Sequence, residues 1–519
     1  MLSTYRNEPM TDFSLESERT AFEQALALVK SEIGRTYPLV IGGEHITLDK
    51  TFASINPARP NEVLAHFAEG NADHANQAID VATAAFEDWR KTSVDERAQI
   101  ILNISAEMRR RKHEFSAVMV LEVGKSWAEA DADTAEAIDF LEYYARQVLR
   151  ITDSSDQLAE WEGENNNLYY IPLGVGAVIP PWNFACAIPT GMLASAIVTG
   201  NTVVFKPAEQ SMWVAWKVAE LFWSQGVPGG VLNFVTGPGE VVGARMVSHP
   251  KTRFVSFTGS RAVGVKIYEE MAKVHPSQIW LKRAILEMGG KDAVVVDETA
   301  DLTSAAQGIV AGAFGFQGQK CSAGSRAIIV GDVYDRVVNQ VVELASTLSV
   351  GATDNGPETF MGPVIDQEAF SKIMGYIELG TQEGDLLLGG QPIETPEGGY
   401  FIPPTIFGNV KEDARIAQEE IFGPVLSIIK AKDFDDALRI ANNTEYGLTG
   451  AVYTNSQERL EIAKRDYHVG NLYLNRKCTG AMVGVHPFGG FNMSGTDSKG
   501  GGPDYLLLFT QAKSIAEKI

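Results

Sequence analysis

From Ile171 to Phe205 the chain carries no charged side chain, and whatever fold it adopts must bury that stretch. A membrane-spanning helix needs about 20 apolar residues in unbroken helical conformation. Here Pro180, Pro181 and Pro189 interrupt the run, with Asn183 and several glycines among them. A proline inside a helix deletes a hydrogen bond and collides with the preceding turn. The stretch therefore reads as a buried strand, a loop, a helix and a second strand, VGAVI (175–179) and NTVVF (201–205) being the strands. Runs of the same texture follow at VLNFV (231–235) and RFVSF (253–257), separated by helical stretches over 211–225 and 239–247. Strands that alternate with helices pair in parallel as βαβ units. Glycines at the strand ends fall where a doubly wound sheet binds its ligand.

A second α/β series follows Glu287: DAVVV, RAIIV, a helix over 332–348, FIPPTIF, VLSIIKA, the helix DFDDALRIANN and GAVYTN. Upstream, residues 13–33 have the apolar spacing of an amphipathic helix. PLVIGGEHITL is a hairpin signal around Gly42-Gly43, 75–123 is helical, and 134–150 forms another helix. The polar segment 151–170 reads equally as a surface excursion or as an arm reaching another subunit. The tail after 494 is glycine-rich and then has strand character suited to a sheet edge.

With 519 residues, the chain is long enough for two or three packed units. Its formal charge of -22 repels phosphate backbones and anionic lipid, so neither nucleic acid nor a membrane is expected as a partner. Three cysteines, Cys186, Cys321 and Cys478, make no disulfide framework and suggest a reducing compartment. The N-terminus has no apolar signal-peptide core, and the expected location is the cytoplasm.

Cys321 lies among small residues in GFQGQKCSAGSR, after Lys320. A cation and backbone N–H groups favour the thiolate, the form that attacks a carbonyl carbon; an inert buried cysteine is the alternative. Glu287, in LEMGGKD, ends an apolar run, where partial desolvation raises a carboxyl toward base duty; a glutamate at a strand end is more often simply solvated. Asn183, in PPWNFACAIP, could face a developing oxyanion or stabilise the turn after Pro-Pro. Lys206 and Glu209, in VVFKPAEQS, could clamp ribose hydroxyls or form a surface ion pair. A glutamate there would also repel a 2′-phosphate and favour NAD over NADP. TGPGEVVG (236–243) and FTGSRAVG (257–264) are strand-to-helix turns of the kind that hold pyrophosphate, though neither is a full G-x-G-x-x-G.

In order, PWNF (181–184), KPAE (206–209), FTGS (257–260), LEMGGK (286–291), GQKCSA (318–323), EEIFGP (419–424) and PFGGFNMSG (487–495) resemble the aldehyde dehydrogenase superfamily over almost the whole chain. The resemblance implies an α/β fold with a Rossmann-type cofactor domain (1–149 and 172–287), an α/β catalytic domain (288–494) and a small oligomerisation flap (150–171 and 495–519). It implies Cys321 as nucleophile, Glu287 as the base that activates water, and Asn183 with the Cys321 N–H as oxyanion donors. NAD would be the cofactor, with no metal, held by Lys206 and Glu209 at the adenosine ribose, Gly259 and Ser260 near the pyrophosphate, and Glu420 and Phe422 at the nicotinamide end. NRKCTGAMVGVHPFGG (475–490) together with GFQGQKCSAGSR resembles the branch that oxidises glutamate γ-semialdehyde. There Ser322, Gly480 and Ala481, with Lys320 nearby, would anchor an α-carboxylate, and Phe184 and Phe488 would flank the aliphatic stem. Cys478 reads as packing.

Three rivals remain: a dehydrogenase for another semialdehyde such as succinate semialdehyde, a non-catalytic relative, and a bifunctional proline-catabolic enzyme. The last needs a second catalytic barrel for which the chain has no room, so a proline dehydrogenase would be a separate protein. Subunits would form a homodimer, with C2 symmetry, or a higher homo-oligomer.

Overall fold

The computed structural model describes residues 4–152 and 158–519. Its centre is a seven-stranded sheet. Five strands, Val175–Ile179, Thr202–Phe205, Leu232–Phe234, Thr252–Thr258 and Arg283–Glu287, run parallel. Strand Val175–Ile179 lies between Thr202–Phe205 on one side and Thr252–Thr258 on the other. The strand order therefore reverses beside Val175–Ile179, and ligands bind in the crevice beyond the carboxyl ends of strands at such a point. The uncharged stretch folds as strand Val175–Ile179, a loop, helix Ala187–Val198 and strand Thr202–Phe205. The helix is buried all round.

The Gly42-Gly43 hairpin joins Leu39–Ile41 to Glu44–Ile46 and adds both to the sheet edge through Leu232–Phe234. Both glycines have positive φ, 67° and 85°, as a tight two-residue hairpin turn requires. The helical region expected over 75–123 is three helices, Ala72–Trp89, Val94–Arg110 and Lys112–Glu122. The first break has a visible cause: the Ser93 hydroxyl accepts the Glu96 N–H and caps a new helix. The helix expected over 134–150 starts earlier, at Trp127, and runs to Thr152.

The second sheet also has seven strands, in spatial order Asp385–Leu388, Thr405–Gly408, Val425–Ala431, Arg326–Val330, Ala293–Val296, Thr449–Tyr453 and Asn471–Leu474. All neighbours are parallel except the first pair. Of FIPPTIF only the end becomes strand, because Pro403 and Pro404 donate no ladder hydrogen bond. After residue 494 the chain first packs against the core, with Leu506 and Phe509 fully buried. Strand Thr510–Lys518 then pairs antiparallel with Glu164–Pro172 in a two-stranded ribbon. Residues 153–157 of the segment expected as an excursion or arm lie outside the described residues. Among the described residues no helix is long and apolar enough to cross a membrane.

Candidate active site

Pro180 and Pro181 end strand Val175–Ile179, and the turn after them buries Asn183. Its amide nitrogen donates to the Gln319 carbonyl at 3.1 Å, two residues before Cys321. The turn that presents Cys321 is bent unusually: Phe316 and Gln317 sit at φ 49° and 56°, and Gly318 at 66°. Left-handed geometry costs a non-glycine residue about 1 kcal/mol or more, so neighbours must hold it. Gln317 Nε2 donates to the carbonyls of Gly124 (3.1 Å) and Pro363 (2.8 Å). The Lys125 ammonium stands 4.6 Å from the ring centre of Phe316 and 4.6 Å from that of Phe184. It is neutralised by Asp133 at 2.8 Å, with neither side chain exposed. The other Asp133 oxygen accepts the Ala187 N–H at 2.7 Å, which ties the same pair to the start of the uncharged helix. Removing one partner of a buried ion pair strands the other charge, at about 3–5 kcal/mol. Asp133→Ala should lower stability by that amount, read as a fall in the urea midpoint; an unchanged midpoint would refute this bracing.

Cys321 and Glu287 line one cavity of about 560 Å³. Glu287 Oε1 accepts the Gly490 N–H at 3.1 Å, while its buried Oε2 has no partner among the described residues. Burial pushes this carboxyl well above the usual range, against the weaker pull of the Gly490 N–H and Lys499. Among the described residues the Cys321 N–H has no acceptor, unlike those of Gln319 and Ala323 on either side. One expectation needs correcting. Lys320 does not turn its charge on the sulfur; its ammonium binds Glu129 at 2.7 Å. Burial pushes the Cys321 thiol up, helped by the carboxylates of Glu287, Asp292 and Glu420, against the pull of the Ser322 N–H toward the thiolate.

The same cavity wall holds Phe184, Lys320, Ser322, Gly480, Ala481 and Phe488. Buried Cys478 joins the two halves of that wall, its Sγ lying 3.6 Å from the Ser322 carbonyl. Sequence reasoning missed Glu129, Glu136 and Lys477, which also line it. Their signal was legible in part: Glu129, Asp133 and Glu136 are spaced as one face of helix Trp127–Thr152. Burial and repulsion from Asp133 raise the Glu136 carboxyl to about 8.

At the adjoining strand ends, Lys206 Nζ meets Glu209 Oε1 at 2.9 Å, with the lysine buried rather than on the surface. Gly239 and Gly243 lie against this pair, a Cβ on either falling at ordinary contact distance, 3.8 Å from Glu209 Oε1 or 3.6 Å from Lys206 Cδ. Their bareness leaves a cradle of main chain beside a donor and an acceptor. Gly259 follows strand Thr252–Thr258, and Ser260 caps helix Arg261–Met271 by accepting the Val263 N–H, so free amides at a positive helix end face the same crevice. These groups fit a dinucleotide. Glu420 accepts the Gly290 N–H at 3.0 Å, and Phe422, at φ 60°, packs edge-on to Trp182 at 5.5 Å. A Cβ on Gly289 would fall 2.2 Å from Glu420 Oε2, and one on Gly290 2.4 Å from the Cys321 carbonyl.

A doubly wound sheet whose crevice meets a cysteine, a buried carboxyl and a buried amide is the frame of a dinucleotide-dependent aldehyde oxidoreductase. The signature of the aldehyde dehydrogenase family matches residues 45–515, and the chain belongs to that family. It is 59% identical over 517 residues to a protein of Geobacillus sp. named 1-pyrroline-5-carboxylate dehydrogenase, with 100% of each chain covered. A 1-pyrroline-5-carboxylate dehydrogenase from Thermus, solved with bound NAD, superposes with a TM-score of 0.98 at 50% identity, covering 100% of each chain. Proline utilization A of Bdellovibrio bacteriovorus aligns with 99% of this chain and 53% of its own at 44% identity and a TM-score of 0.97. The chain is an NAD-dependent enzyme of this family.

Proposed function

We propose that the protein oxidises L-glutamate γ-semialdehyde, in equilibrium with cyclic 1-pyrroline-5-carboxylate, to L-glutamate in proline degradation. The observation that carries this reading is one cavity lined by Cys321, Glu287, Lys320, Ser322, Gly480 and Ala481. A reactive sulfur and an anion-binding wall in one enclosure suit a short chain with an aldehyde at one end and a carboxylate at the other. Phe184 and Phe488 suit its methylenes. An α-ammonium near helix Trp127–Thr152 would draw the raised Glu136 carboxyl back toward its ionised form.

In the proposed reaction the Cys321 thiolate adds to the aldehyde carbon. The Asn183 amide and the Cys321 N–H receive the oxygen as it gains charge, each such donor being worth about 10²–10³ in rate. When bound, NAD would supply the hydride acceptor. Lys206 and Glu209 would hold one ribose, Gly259 and Ser260 the pyrophosphate, and Glu420 with Phe422 the nicotinamide end. The product at sulfur is a thioester. Glu287 takes a proton from water, the resulting hydroxide displaces Cys321, and glutamate leaves.

The proposal includes a cytoplasmic homodimer or larger homo-oligomer, with Glu164–Pro172 and Thr510–Lys518 as the ribbon that reaches the partner. The proline dehydrogenase that supplies the substrate would be a second polypeptide. NADH production should be at least tenfold more efficient, in kcat/KM, with 1-pyrroline-5-carboxylate than with succinate semialdehyde or propanal. Equal or reversed efficiencies would overturn the substrate assignment and leave the family chemistry standing.

A further inference from the structure

The substrate reading leaves open what turns the 479–481 main chain so that it can receive an anion. A planar trans peptide carries its C=O and N–H in opposite directions, and no cis peptide occurs among the described residues. Holding a carbonyl on one side of such a turn therefore aims the next residue's N–H at the other side. Arg476 does this twice. Its Nη2 donates to the Thr479 carbonyl at 2.9 Å and to the Gly480 carbonyl at 3.0 Å. The peptides so held carry the N–H groups of Gly480 and Ala481. Among the described residues neither of those N–H groups has an acceptor, whereas the next one, Met482, is taken by His486 Nδ1 at 3.2 Å. Thr479, Gly480 and Ala481 all line the cavity that holds Cys321.

The guanidinium is itself fixed. It lies 4.5 Å from the ring centre of Tyr473, a buried residue of strand Asn471–Leu474, and cation–π contact favours that pose. Gly480 sits at φ 82°, which a glycine adopts freely and which two outward carbonyls select from among its many conformations. A ligand carboxylate then meets two parallel donors already aimed, and the cost of ordering them is met in the folded protein.

We propose that Arg476 is a positioning residue for substrate specificity: it clamps the carbonyls of Thr479 and Gly480 so that the N–H groups of Gly480 and Ala481 converge on the substrate's carboxylate. The proposal rests on the substrate reading above. The test compares wild type, Arg476→Gln and Arg476→Lys with 1-pyrroline-5-carboxylate and with propanal, each at low salt and in 1 M potassium chloride. For Arg476→Gln, KM for the carboxylate-bearing substrate should rise about 10- to 100-fold, with kcat much less affected and propanal kcat/KM falling several-fold less. Arg476→Lys, which keeps the charge but not the reach of the planar fork, should lie between the two. Because screening shortens to about 3 Å at 1 M salt, the Arg476→Gln penalty relative to wild type should persist there. Three results overturn the proposal: equal losses on both substrates, a penalty that vanishes in high salt, or full activity of Arg476→Lys. The last two would make Arg476 only a source of field. If wild type itself does not prefer the carboxylate-bearing aldehyde, the substrate reading fails and the proposal with it. If that preference is present and survives Arg476→Gln, this proposal alone fails.

Discussion

Cys321→Ala will lose NADH production by on the order of 10⁴–10⁶-fold while NAD binding, followed by titration calorimetry, stays close to wild type. The size follows from the chemistry: without the sulfur there is no covalent adduct from which a hydride can leave, and no other cysteine stands in. Cys186 and Cys478 are both buried, and burial raises both thiols, Cys478 to about 12. The binding half of the prediction follows from position. Lys206, Glu209 and Ser260 stand on the carboxyl ends of the first sheet, whereas Cys321 precedes strand Arg326–Val330 of the second. Residual activity within about a hundredfold of wild type would remove Cys321 from the nucleophile's place.

Glu287→Gln separates the two halves of the reaction. The glutamine keeps the shape and can still accept the Gly490 N–H, but it takes no proton from water. The expected result is a rapid burst of about one NADH per active site, then a steady rate lower by about 10²–10⁴-fold. The pH dependence has a definite sign. Burial lifts the Glu287 carboxyl well above its ordinary value, and only the ionised form serves as a base. Steady-state turnover of wild type should therefore climb with pH above the usual carboxylate range, and Glu287→Gln should lack that limb. A variant with no burst, or one that keeps the same limb, would assign the proton transfer elsewhere.

Much of the fold was legible because burial leaves a mark on composition. The charge-free run 171–205 can be satisfied only inside a core, and its prolines and glycines fix where strand, loop and helix divide. The Gly42-Gly43 hairpin was readable because its turn demands positive φ. The three-helix division of 75–123 was obscured because Thr92-Ser93 and Arg111 look like ordinary polar positions until the Ser93 cap is seen. At the site, the glycines, Cys321, Glu287 and Asn183 could be named from motifs, since each sits at a strand end or in a loop shaped by its neighbours in sequence. The partners of charged groups could not. Lys320 was read with the cysteine beside it in sequence, but its ammonium reaches Glu129, 191 positions away. Lys125 escaped notice for the same reason, since the rings it stands between, Phe184 and Phe316, are far from it in sequence. Arg476 escaped although Thr479 and Gly480 are only three and four positions on, because nothing in the residue types marks a turn that bends its carbonyls back onto the guanidinium.

The crossing at Met288–Gly289–Gly290 joins the two sheets, with Glu287 just before it and the Cys321 carbonyl packed against it. Each glycine hydrogen there occupies a gap too small for a methyl group. Such a joint works like a bearing machined without clearance. A side chain on Gly290 would have to displace the Cys321 main chain, and with it the spacing between base and sulfur.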